Sequence, residues 1–253
     1  MSVSAPNFSL TGKRAMITGS SRGIGLALAT AMAKSGAAIV LNGRDETQLE
    51  KVTADFKAEG LDVSSQAFDV TDEAAVQHAA ESIGEIDILV NNAGIHRRAS
   101  LAEMSLEDWN TVLSTNLTSA FLVSRAFVGG MIERRAGKII NICSLMSDLA
   151  RPTTGNYAAA KGGLRMLTRA MCGEWAQHNI QANGIGPGYI ETELTAPLVA
   201  DPKFDSWIRG RTPAGRWGKL DDLTGAAVFM ASPASDFLNG QVIMIDGGLT
   251  AVV

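Results

Sequence analysis

Short β-branched runs separated by longer alanine-rich amphipathic stretches recur along the whole chain, and this alternation restricts it to βαβ units around a parallel sheet. The runs lie at residues 14–18, 38–42, 64–68, 87–90, 138–142, 181–185 and 241–245. Most are nearly continuous apolar stretches, as strands buried on both faces must be. Helical patterns fill 23–35, 46–58, 73–83, 105–128, 156–178 and 220–230. Seven strands with helical crossovers predict an α/β fold, a doubly wound Rossmann-type sheet flanked by helices.

The 253 residues, 46% of them hydrophobic, suffice for one sizeable core, so residues 1–253 are expected to form a single domain. Only the stretch 188–219, rich in Pro, Gly, Trp and charge, lacks clear periodicity. A long irregular segment in such a domain predicts a substrate lid. The formal net charge of -4 is scattered without runs of like charge, which argues against nucleic acid and against an anionic membrane surface. No stretch holds the ~18 uncharged apolar residues of a membrane span. Met1-Ser2-Val3-Ser4-Ala5-Pro6-Asn7 has neither a basic nor an apolar leader character, so a cytoplasmic protein is expected. Cys143 and Cys172 are not spaced as Cys-x-x-Cys, so both read as reduced residues rather than a redox pair or half a metal site.

The first predicted strand runs directly into Thr18-Gly19-Ser20-Ser21-Arg22-Gly23-Ile24-Gly25 and then a helix. Glycines there let the backbone approach a pyrophosphate, and the free N–H groups of the helix start favour its charge. The spacing Gly-x3-Gly-x-Gly is not the commonest dinucleotide fingerprint, so the strand–turn–helix context carries the inference. At the end of the second strand an acidic residue would select NAD through the ribose 2′-hydroxyl. This chain has Leu41-Asn42-Gly43-Arg44-Asp45. Arg44, with Ser21 and Arg22 of the glycine loop, suits a 2′-phosphate and predicts NADP(H). Asp45 reads either as the cap of the next helix or as a residue that weakens phosphate binding.

The fifth strand ends at Asn141-Ile142-Cys143-Ser144, and the next helix carries Tyr157-Ala158-Ala159-Ala160-Lys161. The i, i+4 spacing puts phenol and ammonium on one helical face. A free phenol, with a pKa of about 10, is a poor base at neutral pH. A cation within ~4–6 Å lowers that value by roughly 1–3 units, toward the range useful for acid–base chemistry. Ser144, at the edge of the neighbouring strand, is placed to hydrogen-bond a substrate oxygen beside the tyrosine. A lone Tyr-x3-Lys pair arises by chance in many helices; the strand-end serine and the upstream glycine loop give this one its specificity. Together they point to interconversion of an alcohol and a ketone against a nicotinamide.

With the glycine loop, Asp69-Val70, Asn91-Asn92-Ala93-Gly94, Asn116, Ser144, Tyr157, Lys161 and Pro187-Gly188 in this order, the chain resembles the short-chain dehydrogenase/reductase superfamily over residues 8–248. The resemblance implies Tyr157 as acid/base and Lys161 as the group that binds the nicotinamide ribose and tunes the tyrosine. It implies Ser144 as the holder of the substrate oxygen, and Asn116 as the keeper of a helix kink and of a water in a proton relay. On the nucleotide side it implies Gly19, Ser21, Arg22, Gly23, Ile24 and Gly25 at the phosphates and Asp69 and Val70 at the adenine. Asn92, Ala93 and Gly94 would back the adenosine ribose, and Pro187, Gly188, Ile190 and Thr192 would border the nicotinamide amide. The family uses no catalytic metal and implies a homotetramer.

Longer strings resemble a narrower group, the gluconate 5-dehydrogenases: Gly94-Ile95-His96-Arg97-Arg98, residues 138–144, Met166-Leu167-Thr168-Arg169, His178-Asn179-Ile180-Gln181, Gly188-Tyr189-Ile190-Glu191-Thr192-Glu193 and Arg211-Thr212-Pro213-Ala214-Gly215-Arg216-Trp217-Gly218. That group interconverts gluconate and 5-ketogluconate, usually with NADP. A carboxylate substrate calls for arginine, and Arg97, Arg98 and Arg151 lie in loops after the fourth and fifth strands, where substrate is expected. His96, Arg97, Ser144, Met146, Asp148, Arg151 and Tyr189 are therefore the expected substrate contacts. The chain departs from the group's pattern where it has His96 instead of glutamine, and where Leu145-Met146-Ser147-Asp148 stands for Ser-x-Gln-Ser-Glu. Loss of two hydrogen-bonding groups bears on substrate choice, and leaves a broader ketoreductase for 3-oxoacyl thioesters or small ketones as the alternative. A catalytically silent NADP-binding sensor is a further alternative, against which stand the filled positions Asn116, Ser144, Tyr157 and Lys161.

Overall fold

Seven parallel strands form one sheet in the computed structural model: β1 (Arg14–Ile17), β2 (Ala38–Gly43), β3 (Val63–Ala67), β4 (Ile88–Asn91), β5 (Gly137–Ile142), β6 (Ile180–Pro187) and β7 (Val242–Ile245). Their spatial order is β3-β2-β1-β4-β5-β6-β7. The structure describes residues 5–193 and 195–253. Met1 to Ser4, which open the N-terminal segment read above, and Leu194, within the 188–219 stretch, lie outside the described residues. The helices are α1 (Gly23–Lys34), α2 (Glu46–Ala58), α3 (Glu73–Ile83), α4 (Leu106–Leu113), α5 (Ser119–Arg134), α6 (Gly155–Trp175), α7 (Ala196–Val199), α8 (Pro202–Arg211) and α9 (Asp221–Ala231). Among the described residues, no helix is long and apolar enough to cross a membrane.

Side chains that alternate along each strand divide the core into two layers. Ile17, Ile39, Leu41, Ile88, Val90, Ile140 and Ile185 face Leu28, Leu49, Leu223 and Met230 on α1, α2 and α9. Met16, Val40, Leu89 and Ile139 face the opposite side, against Val76, Phe127 and Met171 on α3, α5 and α6. Both faces are covered, which explains why the strand sequences are apolar without alternation. Burying one such side chain contributes ~1.5–3 kcal/mol, so the two layers together hold the sheet. The strand order reverses at β1, whose neighbours are β2 and β4. Ligands of doubly wound sheets bind at this switch point, beyond the carboxyl ends of the strands.

Two expectations need correction. The helical pattern over 105–128 is not one α-helix: a π-helical turn at Ser114–Thr118 separates α4 from α5. Asn116 in this turn accepts from the Ile95 N–H at 2.8 Å through Oδ1 and donates to the Ile95 carbonyl at 2.8 Å through Nδ2. Two side-chain bonds to the backbone of one residue tie the widened turn to Ile95; such π-helical turns are often found at functional sites. The stretch 188–219 is not irregular throughout but contains α7 and α8.

Candidate active site

Four helices complete their own N-termini with a side chain: Asp45, Asp72, Ser105 and Asp201 accept from the N–H groups of Gln48, Ala75, Asp108 and Lys203. Asp45 is thus the cap of α2. In α1 the N-cap position is Arg22, which makes no side-chain cap bond, and no acidic residue lies in the first turn. Gly19 and Gly23 take φ of +61° and +57°, conformations that L side chains rarely adopt, and a Cβ on Gly25 would collide with the Gly19 carbonyl oxygen and Asn92 Nδ2. Asn92 Nδ2 donates to the carbonyls of Thr18 and Gly19, both at 2.9 Å. Thr18 Oγ1 accepts from the N–H groups of Asn92 and Ala93 at 2.9 and 3.0 Å. The glycine loop is therefore tied to the end of β4 across the switch point. Its free N–H groups, side-chain-free surface and positive helix end fit the pyrophosphate of a dinucleotide.

Beside it, the exposed Arg44 Nη1 lies 3.6 Å from Asp69 Oδ2. Burial alone would raise Asp69, but hydrogen bonds from the Thr71 N–H and hydroxyl, together with the Arg44 charge, hold it below its ordinary value. Ser21 sits against Gly43 at the end of β2, so Ser21, Arg22 and Arg44 bound one polar corner.

At the end of β5, Ser144 begins a short 3-10 turn (Leu145–Ser147), its Oγ accepting from the Met146 N–H at 3.1 Å. The Ser147 hydroxyl donates to the Lys161 carbonyl at 2.9 Å and so fixes this turn against α6. Burial raises the pKa of the Tyr157 phenol, and the neighbouring Ser144 hydroxyl opposes that rise. Lys161 Nζ donates to the Ile142 carbonyl at 2.6 Å and lies 5.7 Å from the centre of the Tyr157 ring. Burial pushes its pKa down to about 8. In the protein alone desolvation therefore sets the direction for the tyrosine; the cation expected to lower its pKa is the lysine together with the charge of an oxidised nicotinamide.

His96 lies flat on the Tyr157 ring, the centroids 4.6 Å apart and the planes 9° from parallel. Beyond it stand Arg98 and Arg151. Burial first, then Arg151, lowers Arg98; burial raises the Tyr189 phenol against the pull of Arg151 and Arg98. The Arg151 guanidinium also covers the ring of Phe204 on α8 at 4.9 Å. Two substrate candidates fall elsewhere. Arg97 pairs with Asp108 of α4 at 2.6 Å, and Asp148 pairs with Arg165 of α6. Met146 is buried, and its backbone N–H rather than its side chain meets Ser144. Pro187 ends β6, the Gly188 N–H donates to the Ile245 carbonyl at 3.0 Å, and Ile190 is buried, bridged to Gly218. Thr192 donates its N–H to Thr195 Oγ1 at 2.9 Å. Of the two adjacent arginines that the sequence offered for a carboxylate, Arg97 is paired with Asp108, whereas the charge of Arg98 acts on His96; adjacent arginines in a loop carry no signal of which one is left without an acidic partner.

A family model described as "Enoyl-(Acyl carrier protein) reductase" matches residues 19–250. The chain belongs to the short-chain dehydrogenase/reductase family. This dehydrogenase/reductase is 52% identical to the gluconate 5-dehydrogenase of Gluconobacter oxydans (strain 621H), covering 96% of each chain. It is 50% identical to the 5-keto-D-gluconate 5-reductase of Escherichia coli (strain K12), covering 97% of this chain and 98% of that one. The crystal structure of a gluconate 5-dehydrogenase from Burkholderia cenocepacia J2315 in complex with NADP and tartrate matches with a TM-score of 0.95 and 53% identity, over 97% of this chain and 98% of that one. The protein is an oxidoreductase acting between CH–OH and C=O.

Proposed function

We propose that the protein interconverts gluconate and 5-ketogluconate with NADP(H). The observation that carries this is the pair Arg98 and Arg151 beside His96 and Tyr157: two guanidinium groups, with no ion-pair partner among the described residues, next to a tyrosine suited to proton transfer. A carboxylate is the group such a pair binds best. The likeness to gluconate 5-dehydrogenases over nearly the whole chain supports the same substrate, and the NADP of the Burkholderia relative agrees with Arg44.

In this reading the α1 N–H groups hold the pyrophosphate, Ser21, Arg22 and Arg44 the 2′-phosphate, and Asp69 and Val70 the adenine. Asn92, Ala93 and Gly94 back the adenosine ribose, Lys161 binds the nicotinamide ribose, and Pro187, Gly188, Ile190 and Thr192 border the amide. When bound, NADPH supplies the hydride for the carbonyl carbon. Tyr157 donates the phenolic proton to the carbonyl oxygen, and in the reverse direction its phenolate takes the proton back. Ser144 donates a hydrogen bond to the same oxygen. Asn116 fixes the loop before His96, and Tyr189 with α7 and α8 covers the pocket as its lid. Exposed Phe121 on α5 and Met166 on α6 suit burial between copies, in a homotetramer. The two free cysteines suit a reducing compartment, the cytoplasm.

Steady-state kinetics of the purified protein tests this. Turnover of 5-ketogluconate is expected, with kcat/KM higher for NADPH than NADH. Arg98→Ala is expected to raise KM for the keto acid by about tenfold to a hundredfold, the loss of a charge-assisted bond, while Arg97→Ala leaves it near the parent value. An inert keto acid beside rapid reduction of an acetoacetyl thioester would refute the assignment.

A further inference from the structure

The backbone on both sides of His96 is pinned by other elements. Asn116 binds both the N–H and the carbonyl of Ile95, and Asn156 Nδ2 on α6 donates to the Arg97 carbonyl at 3.0 Å. The ring is thereby held in its stack on Tyr157. Its Nδ1 is buried and has no hydrogen-bond partner among the described residues. A polar atom buried without a partner is costly, and such an atom inside a pinned, functional loop points to a ligand that completes it. A half-turn of the ring exchanges Nδ1 with the opposite ring carbon and keeps the stack, so a nitrogen is available on either edge of the ring face that covers the phenol.

The ring is neutral over the physiological range. Burial, and after it the charges of Arg98 and Arg151, hold its pKa at about 4. A neutral imidazole carries one donor and one acceptor nitrogen, the complement of an alcohol rather than of a carboxylate. The order of groups outward from the phenol is then His96 first and the two arginines after it. A substrate whose carbonyl oxygen meets Tyr157 and whose carboxylate meets Arg98 and Arg151 must run past His96.

We propose that His96 is a specificity-determining residue that recognises the hydroxyl on the carbon next to the reacting carbonyl, so that the site prefers α-hydroxy ketones to plain ketones. This rests on the gluconate reading for the direction in which the substrate runs.

The test compares 5-ketogluconate with acetoin and 2-butanone, the last two differing in the hydroxyl beside the carbonyl, using NADPH and the wild type, His96→Phe and His96→Gln. Phenylalanine keeps a ring on Tyr157 without a hydrogen bond; glutamine keeps the hydrogen bond without the ring. The preference for acetoin over butanone is expected to fall about tenfold in His96→Phe, through KM, with 5-ketogluconate falling by at least a similar factor and butanone falling less than acetoin. His96→Gln is expected to retain most of the preference. Fluorescence titration with NADPH should give the wild-type affinity in both variants. An unchanged preference in His96→Phe, or an equal fall for butanone and acetoin, would overturn the role of His96. A wild type inert toward 5-ketogluconate that still loses its acetoin preference in His96→Phe would overturn the gluconate assignment and leave the hydroxyl recognition standing.

Discussion

Tyr157 shows how burial sets the direction of proton traffic at one residue. Desolvation raises its pKa, the neighbouring Ser144 hydroxyl opposes that rise, and the Lys161 ammonium is held on the Ile142 carbonyl. A raised pKa keeps the phenol protonated at neutral pH. Ketone reduction needs that proton, so its rate is expected to stay level from about pH 6 to 8, whereas alcohol oxidation needs the phenolate and should climb across the same interval. Tyr157→Phe should lower both directions by roughly 10²–10⁴-fold. Rate–pH profiles in the two directions check this, and a level oxidation profile would contradict it. Tyr157, Ser144 and Lys161 were legible in the sequence because helical spacing and a strand end determine where they stand. The pairing of Arg97 with Asp108 and that of Asp148 with Arg165 were not, because loop side chains are oriented by partners distant in sequence.

Among the elements, α7 and α8 were hidden from the sequence, and α8 is the longer of the two. It is short, and apart from the buried Ile208 its apolar residues are the aromatics Phe204 and Trp207, which meet aromatics outside the helix: Tyr189 stands edge-on to Phe204, Trp207 and Trp217. Such a helix gives little periodic signal. Its start was nonetheless written in Asp201-Pro202, a capping carboxylate followed by proline at the first helical position. Trp217 Nε1 donates to Asp205 Oδ1 at 2.8 Å and fastens α8 to the segment after it. Asp201→Ala is expected to remove about 1 kcal/mol from α8. Trypsin cleavage at Lys203, Arg209 and Arg211 should then quicken, and KM for the keto acid should rise while NADPH affinity holds. Unchanged cleavage would show that the aromatic cluster alone holds the helix.

The sheet was the most legible feature of the whole molecule, since strands buried on both faces betray themselves as apolar runs and Gly-rich turns mark the crossovers. The observed strands fall within one or two residues of the expected positions, β2 and β6 running on into the polar ends that carry Gly43 and Pro187. Because the dinucleotide site straddles β1, β2 and β4, its occupancy should stabilise the sheet as a unit. NADPH at 100 times its Kd is expected to add about 2.7 kcal/mol to the unfolding free energy. The rise in Tm that this gives should exceed the rise with an equal concentration of NADH, and Arg44→Ala should reduce the difference.

The uncapped start of α1 carries this further. With no side-chain cap and no acidic residue in its first turn, α1 leaves N–H groups for the nucleotide of the proposed reading, which would then support the fold as well as react. When the cellular supply of it falls, the switch point is the place where the protein first loosens, and quality-control proteases meet more of the opened form. The lifetime of this enzyme in a cell would thereby follow the redox cofactor pool that it draws on.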